Sequence, residues 1–324
     1  MEARHLLICA AAGLGPPVFA HHSDAIYDRE TTVAGEGIVT EFTYRNPHVL
    51  IGVELENDDG GIVEWIVETG STPIMNRSGW SADMLNPGDR INVRLHPERT
   101  GRLHGILNSL EAPDGQVFMQ VEEAAEETVP AESLVGVWRG ARQPSLFQQA
   151  RNMVLTPAAE AGRADYAENG PDPSRECDPA TAPFNIANGL YLTGIELFDD
   201  RVIIRNEFLD VYREVWTDGR EHPADGEYTL QGHSIGWWEG DTLVVDTRHF
   251  EENPSGNGRG GTPSSRQKHL AERYSLTEDR MRAGVDFVLQ DPVYLAEPFE
   301  GRVEMIYSPH LELVDYNCIP GTLD

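Results

Sequence analysis

Short runs of hydrophobic and β-branched residues, separated by tight turns, constrain the fold of this chain more than any other feature. Turn sequences such as Pro87-Gly88-Asp89 and Glu239-Gly240-Asp241 stand between neighbouring runs. Parallel strands need crossover connections of a dozen or more residues, whereas antiparallel strands are joined by short turns. The sequence therefore predicts antiparallel sheets and an all-β fold.

Residues 31 to 118 predict three strands, one short helix and two further strands. The strands are expected at 33–44, 49–55, 62–68, 90–95 and 103–110. The helix is expected at 71–85, where Pro73 stands in the first turn and its missing N–H costs nothing. This order is typical of a small five-stranded OB-like barrel. We assign this barrel to a domain of residues 21–119.

The second half of the chain predicts a larger barrel. Strands are expected at 190–198, 202–206, 211–216, 233–238, 242–247, 269–275, 285–289 and 302–307. About eight antiparallel strands predict a closed lipocalin-like barrel, which at this size holds one small ligand. We assign it to residues 134–324. The acidic stretch 120–133 has little apolar periodicity and predicts a linker between the domains.

Residues 1–20 have the pattern of a secretory signal peptide. Arg4 precedes an apolar run from Leu6 to Leu14, and small residues end the segment before His21. We expect cleavage after Ala20 and a periplasmic or secreted protein; a buried N-terminal helix is the alternative. The run is shorter than the ~20 residues of a membrane-spanning helix, and no later run is longer. The sequence therefore predicts no membrane span.

The chain is strongly acidic, with a net charge of −29 that the loss of Glu2 and Arg4 with the leader leaves unchanged. Such a surface repels a phosphate backbone and anionic lipid, which excludes nucleic acid as a partner. Two cysteines, Cys177 and Cys318, remain after cleavage. In an oxidising compartment we expect them to form a disulfide, with two separate buried thiols as the alternative.

Four motifs give the first domain a resemblance to a known group. They are His21-His22-Ser23, Asn46-Pro47-His48, Gly79-Trp80 and Pro87-Gly88-Asp89. With them, residues 21–118 resemble a family of uncharacterised bacterial exported domains. The resemblance implies an export route and a fold, and no activity.

The second domain resembles another group of uncharacterised exported bacterial proteins. The resemblance is carried by the segments 213–220, 236–247 and 269–273 and by Asp291-Pro292. In addition, Gly136-Val137-Trp138 resembles the Gly-x-Trp that opens lipocalin-like barrels, which carry small apolar ligands. The resemblance to the group implies no function.

Aromatic residues of the second domain predict a binding cavity. We expect Tyr212, Arg213, Trp216 and Trp237 to contact a small, mainly apolar molecule, although such aromatic residues also fill protein cores. This is the function that the sequence favours. A scaffold protein with two filled barrels is an alternative.

An enzyme is the other alternative, an isomerase, lyase or hydratase that uses the same cavity. Its acid, base and anchor are expected to be His233, His269 and Arg273. Alternation along the strand 269–275 places His269 and Arg273 on one face and Glu272 on the other. Which face lines the cavity is left open, and a structural ion pair is the competing interpretation of Arg273.

The mature N-terminus predicts a copper site. After cleavage, His21 offers its α-amine and its ring, and His22 or His48 supplies a second imidazole. Nitrogen ligands of this kind suit Cu(II). A solvated terminus is the alternative interpretation of the paired histidines.

Overall fold

The computed structural model describes residues 26–57, 59–119, 129–141, 146–171, 176–186, 189–258 and 261–320. The predicted leader, His21 and His22, and most of the predicted linker lie outside these residues. The strands are β1 (Val33–Thr43), β2 (Leu50–Glu56), β3 (Ile62–Glu68), β4 (Arg90–Pro97), β5 (His104–Glu111), β6 (Val117–Met119), β7 (Gly136–Gly140), β8 (Leu192–Leu197), β9 (Arg201–Asn206), β10 (Val211–Trp216), β11 (His233–Glu239), β12 (Thr242–Arg248), β13 (His269–Leu276), β14 (Arg282–Gln290) and β15 (Phe299–Tyr307). The helices are α1 (Thr72–Arg77), α2 (Leu146–Gln149) and α3 (Pro157–Asn169), with short 3₁₀ turns at Ala150–Asn152 and Phe208–Asp210. The all-β prediction is confirmed.

The first barrel consists of β1 to β5. Strand β1 pairs antiparallel with β2 and with β4, and a parallel pairing of β3 with β5 closes the ring. The predicted OB-like order is therefore confirmed. Its interior is filled by alternating apolar side chains such as Ile51, Val53 and Leu95, which are fully buried.

Two elements of the first barrel differ from the prediction. Helix α1 ends at Arg77 and not near residue 85, because Gly79 adopts a left-handed backbone (φ +83°) that reverses the chain. Strand β6 was not predicted, since three residues carry too little alternation to be recognised. The Trp80 ring packs against Phe118 of β6, and its Nε1–H donates to the carbonyl of Met119.

The second barrel closes through nine strands, β7 to β15, in the order β7-β8-β9-β10-β11-β12-β13-β14-β15 and back to β7. All but one of the neighbouring pairs are antiparallel. The exception is β10 with β11, which run parallel and pair only at Val215 with Ser234 and Trp216 with Ile235. The connection of residues 217–232 is long enough to return the chain to the same end of the barrel.

Large buried side chains pack inside the second barrel. Trp138 and Tyr274 are fully buried, and Arg213 and Glu272 lie among the apolar core residues of the neighbouring strands. On β13, Leu270, Glu272 and Tyr274 are buried while Arg273 is exposed. The inward charge on this strand is therefore Glu272, and Arg273 lies on the outer face.

The two barrels meet at a junction that the end of the chain helps to build. The predicted disulfide between Cys177 and Cys318 is present, and Tyr316 packs beside it against Phe208 and Tyr191. The Asn46 side chain in the first barrel donates to the carbonyl of Tyr316. We call residues 311–320 the C-terminal strap.

An ion pair crosses the same junction. Arg77 of α1 donates two hydrogen bonds of 2.9 Å to Glu207, whose side chain is fully buried. In the part of the chain that the structure describes, no helix is both long and apolar enough to span a membrane.

Candidate ligand-binding cleft

A cleft of about 380 Å³ opens in the wall of the second barrel, where β10 and β11 separate. Because the two strands pair only at Val215 and Trp216, the earlier part of β10 has no ladder partner on this side. The cleft is lined by Tyr212, Arg213, Glu214, Trp216 and residues 229–234. Its volume lies within the range of small-molecule sites.

Arg213 lies at this cleft and is anchored inside the barrel. Its guanidinium donates to both carboxylate oxygens of Glu272, at 3.1 and 2.6 Å, and to Thr247 Oγ1 at 3.1 Å. Glu272 also accepts a hydrogen bond of 2.9 Å from the Tyr274 hydroxyl. Burial alone would lower the pKa of Arg213, but the Glu272 charge outweighs it and raises that pKa, so the guanidinium stays protonated.

One nitrogen of the Arg213 guanidinium makes no hydrogen bond. Its Nε–H is buried and has no hydrogen-bond acceptor among the described residues. A buried donor without an acceptor costs about 1–3 kcal/mol, so such a group in a native protein calls for a partner. Because this Nε is closed to solvent, only a group that enters the barrel wall beside β10 could reach it.

Aromatic side chains stand at the outer wall of the cleft. Tyr212 is half exposed. Trp216 is flanked by two guanidinium groups, with Arg220 at 3.7 Å and Arg201 at 5.3 Å from its ring centre. These cation–π contacts hold Trp216 in place and leave Tyr212 as the open aromatic surface.

Histidines cluster beside the cleft. His233 lines it, and its Nδ1 lies 2.9 Å from Nδ1 of His222. The Nε2 of His222 is 2.9 Å from Asp246 Oδ1, and the Nε2 of His269 is 2.5 Å from Asp246 Oδ2. Asp246 thus joins two histidines. It can do so because it lies within β12, which pairs with β11 on one side and with β13 on the other.

The surroundings shift the pKa values of this cluster in opposite directions. Burial lowers the pKa of His222 and of His233. The hydrogen bond to Asp246 raises the pKa of His269. Burial would raise the pKa of Asp246, but hydrogen bonds from His269 and His222 outweigh it and hold that pKa below its usual range.

The structure brings only part of the predicted enzyme trio together. His233 and His269 are linked through His222 and Asp246. Arg273 lies four residues beyond His269, about 13 Å along the strand, and pairs with Glu239 at the surface. His233, His269 and Arg273 therefore do not share one concavity. Arg273, which we expected to anchor a substrate there, forms an ion pair at the surface instead.

Three of the four predicted ligand residues line the cleft, namely Tyr212, Arg213 and Trp216. Trp237 does not, because the outer face of β11 holds it exposed beside Glu239, to which its Nε1–H donates at 3.1 Å. Sequence reasoning missed Glu272 as the partner of Arg213, and it missed His222. His222 stands in an irregular connection whose path no local pattern indicates.

Of the predicted copper ligands, His48 alone lies among the described residues. Its Nδ1 is 3.1 Å from the carbonyl of Thr69 and 3.3 Å from Glu68 Oε1. As the side chains stand, no three His, Cys, Asp or Glu residues within the described ranges form a group able to hold a metal ion. The copper site at His21, His22 and His48 stays a prediction.

The comparisons with known proteins concern the first domain and the fold. Residues 8–108 match a family of unknown function, DUF6152. No curated protein matches the chain. Among solved structures, a point mutant of the fluorescent protein UnaG matches at 14% identity with a TM-score of 0.23, over 53% of this chain and 94% of that one.

Proposed function

We propose that this is an exported protein that binds a small molecule in the cleft between β10 and β11. The observation that carries the proposal is the opening of the barrel wall beside Tyr212 and Arg213. The ligand is a small, planar, mainly apolar molecule with one hydrogen-bond acceptor. Its ring packs on Tyr212 at the outer side of the cleft, and its acceptor enters the gap between β10 and β11 to reach the buried Nε–H of Arg213, which lies on the inner side of the same strand.

The charge of the site supports a neutral ligand. Glu272 balances the charge of Arg213. The guanidinium therefore acts on a ligand mainly as a hydrogen-bond donor and not as a positive charge. A net charge of −29 also disfavours anions at long range. Export is supported by the residues of the predicted leader, by the disulfide and by the resemblance of the first domain to exported proteins.

Coumarin and naphthalene provide a direct test, because the two bicyclic rings are similar in size and only coumarin carries a carbonyl acceptor. Equilibrium dialysis of the purified chain is expected to give tighter binding of coumarin, by about fivefold for one hydrogen bond. Replacing Tyr212 with alanine is expected to weaken coumarin binding about two- to tenfold, the range of one aromatic contact. Trp237→Ala is the matched control, since Trp237 is similarly exposed and lies outside the cleft.

Equal losses in Tyr212→Ala and Trp237→Ala would show that the probe binds non-specifically to exposed aromatic rings. Replacing Leu230 with tryptophan gives an independent check, because a bulky side chain on the opposite wall fills the cleft and is expected to abolish binding. Native mass spectrometry of protein purified from its own cell envelope then identifies the molecule that it retains.

A further inference from the structure

A chain of hydrogen bonds runs from β12 to the cleft. The Nε2 of His222 lies 2.9 Å from Oδ1 of Asp246, and its Nδ1 lies 2.9 Å from Nδ1 of His233. His233 lines the cleft, and its Nε2 makes no hydrogen bond to any residue that the structure describes. Unlike Nδ1 of His249, which is buried, this nitrogen is open to the cleft. It is therefore the end of the chain that meets a ligand.

The ionised state of Asp246 places the proton of His222. Burial would raise the pKa of Asp246, but hydrogen bonds from His269 and His222 hold it below its usual range. Near neutral pH the carboxylate therefore only accepts, and His222 carries its proton on Nε2. Burial lowers the pKa of His222, so the ring is neutral and its Nδ1 has a lone pair. The proton between the two Nδ1 atoms consequently belongs to His233.

The position of that proton determines what His233 presents to the cleft. Burial lowers the pKa of His233, and the neighbouring His222, His249 and Arg220 lower it further, so this ring is neutral as well. A neutral imidazole with its proton on Nδ1 has a lone pair on Nε2. The cleft therefore contains a hydrogen-bond acceptor whose tautomer is fixed by residues outside it.

We propose that the ligand of the cleft carries a hydroxyl or N–H group that donates to Nε2 of His233, and that His222 and Asp246 are positioning residues that keep this nitrogen an acceptor. The inference rests on the binding function proposed above and narrows its ligand class. The ligand is a planar molecule with one donor for His233 in addition to the acceptor for Arg213. A hydroxylated bicyclic ring meets this description, whereas a hydrocarbon or a simple ether lacks the donor.

The same chain makes recognition of the donor depend on pH. One added proton either binds Nε2 of His233 or moves the shared proton to His222, which leaves His233 with its proton on Nε2. In both cases Nε2 becomes a donor and no longer accepts from the ligand. Because the pKa values of both rings are lowered, this change occurs below pH 6.5. The charged and titratable groups around His233 are Glu214 of β10, Asp246 and Arg248 of β12, and Arg220, His222 and His249 of the connections.

Two isomeric probes test the proposal. 7-(Hydroxymethyl)coumarin carries a donor, whereas 7-methoxycoumarin has the same atoms and the same ring carbonyl but no donor. In equilibrium dialysis of the purified full chain at about pH 8, we expect the hydroxymethyl isomer to bind about fivefold more tightly, the effect of one hydrogen bond. The corresponding 6-substituted pair covers the other orientation of the ring. Lowering the pH to about 4 is expected to abolish the preference, with unsubstituted coumarin as the reference for an intact cleft.

Variants of the chain are compared through the ratio of the two affinities, because a general disturbance of the cleft weakens both isomers alike. His233→Phe keeps a ring and removes both nitrogens, so we expect a ratio of about one. In Asp246→Asn the amide no longer fixes the proton of His222, and we expect a smaller ratio. The remaining preference is expected to persist to lower pH, since the Asp246 carboxylate favours the charged form of His222.

The matched control is His269→Gln, which removes the histidine bound to the other oxygen of Asp246 and is expected to keep the ratio. A ratio of about one for both isomer pairs in the unmodified chain, with coumarin still bound, would overturn this inference and leave the proposed binding function intact. A preference that persists in His233→Phe would also overturn it, because another residue would then accept from the ligand. Absence of binding by coumarin and by all four isomers would contradict the binding function itself, and this inference with it.

Discussion

Arg213 and Glu272 form an ion pair that is shielded from solvent, with side chains 2% and 0% exposed. Replacing Arg213 with methionine leaves a buried carboxylate without its counter-charge. We expect the free energy of unfolding to fall by about 3–5 kcal/mol in urea titrations. Arg273→Met is the control, because the Arg273–Glu239 pair is about half exposed and contributes less than about 1 kcal/mol.

A second variant separates the loss of charge balance from the loss of packing. In the double variant Arg213→Met, Glu272→Leu no charge is left unpaired, and we expect it to be more stable than Arg213→Met alone. If the double variant were less stable than the single one, packing and not electrostatics would account for the effect.

Lys268 is buried at the end of the second barrel, where its Nζ donates to Thr181 Oγ1 and to the carbonyl of Gly256. Burial lowers its pKa from 10.5 to about 7. Between these pH values the unfolded chain holds a proton that the folded chain lacks. Stability therefore rises with pH across this interval, and below about pH 7 the full cost of burying the charge is present.

Lys268→Met removes this titration. We expect the variant to be more stable than the unmodified protein at pH 6, with a gain that shrinks as the pH approaches 10. Urea unfolding of both proteins at several pH values measures the difference. Parallel stability curves would contradict the pKa assigned to Lys268.

At the residue scale, three of the residues that the sequence singled out line one cleft, whereas the partners of those residues were not predicted. Tyr212, Arg213 and Trp216 share a short strand, so one pattern identified all three. Glu272 and His222 are distant in sequence and reach the site through barrel closure and an irregular connection. Pairwise contacts of this kind depend on strand register, which local patterns do not fix.

Among the elements, the C-terminal strap has the least regular structure and some of the most specific contacts. The Tyr316 and Asn317 amides donate to the two oxygens of Asp210, and the disulfide joins the strap to Cys177. Replacing both cysteines with alanine is expected to cost up to about 4 kcal/mol, because the cross-link closes a long loop in the unfolded chain.

Hydrogen exchange checks where this stability is lost. We expect the amides of Tyr316 and Asn317 to exchange faster in the double cysteine variant, while the amides of β12 and β13 keep their relative protection. Uniform acceleration across the second barrel would mean that the disulfide stabilises the whole barrel and not the strap.

Strand bounds were predicted unevenly. Strands β3 and β10 have the predicted bounds and β12 differs by one residue, whereas β14 and β15 each begin three residues earlier than predicted. The parallel pairing of β10 with β11 was missed, because strand direction depends on the path of residues 217–232 and not on the strands themselves. The cleft lies where β10 and β11 meet. The sequence therefore indicated residues of the cleft but not how the two strands are arranged around it.

At the scale of the whole molecule, the two barrels are held by a few polar contacts around a small aromatic cluster. Arg77 is the central contact, since Glu207 also accepts from the amides of Leu192 and Val314. In Arg77→Met the buried Glu207 loses its counter-charge. We expect the barrels to separate more readily, which small-angle X-ray scattering detects as an increased radius of gyration.

The control for this variant is Arg90→Met. Arg90 forms an exposed ion pair with Glu36 on the first barrel, away from the junction. Its loss is expected to leave the scattering profile unchanged. An unchanged profile for Arg77→Met would show that the strap and the aromatic cluster hold the barrels together without the ion pair.

The position of the strap also sets an order of assembly. The contacts that join Asn46 and Pro47 to Tyr316 link an early strand connection to residues near the end of the described chain. During synthesis the first barrel is complete in sequence long before Tyr316 and Cys318 emerge. The junction, and the arrangement of the two barrels that it fixes, therefore forms only after synthesis has passed Tyr316 and Cys318.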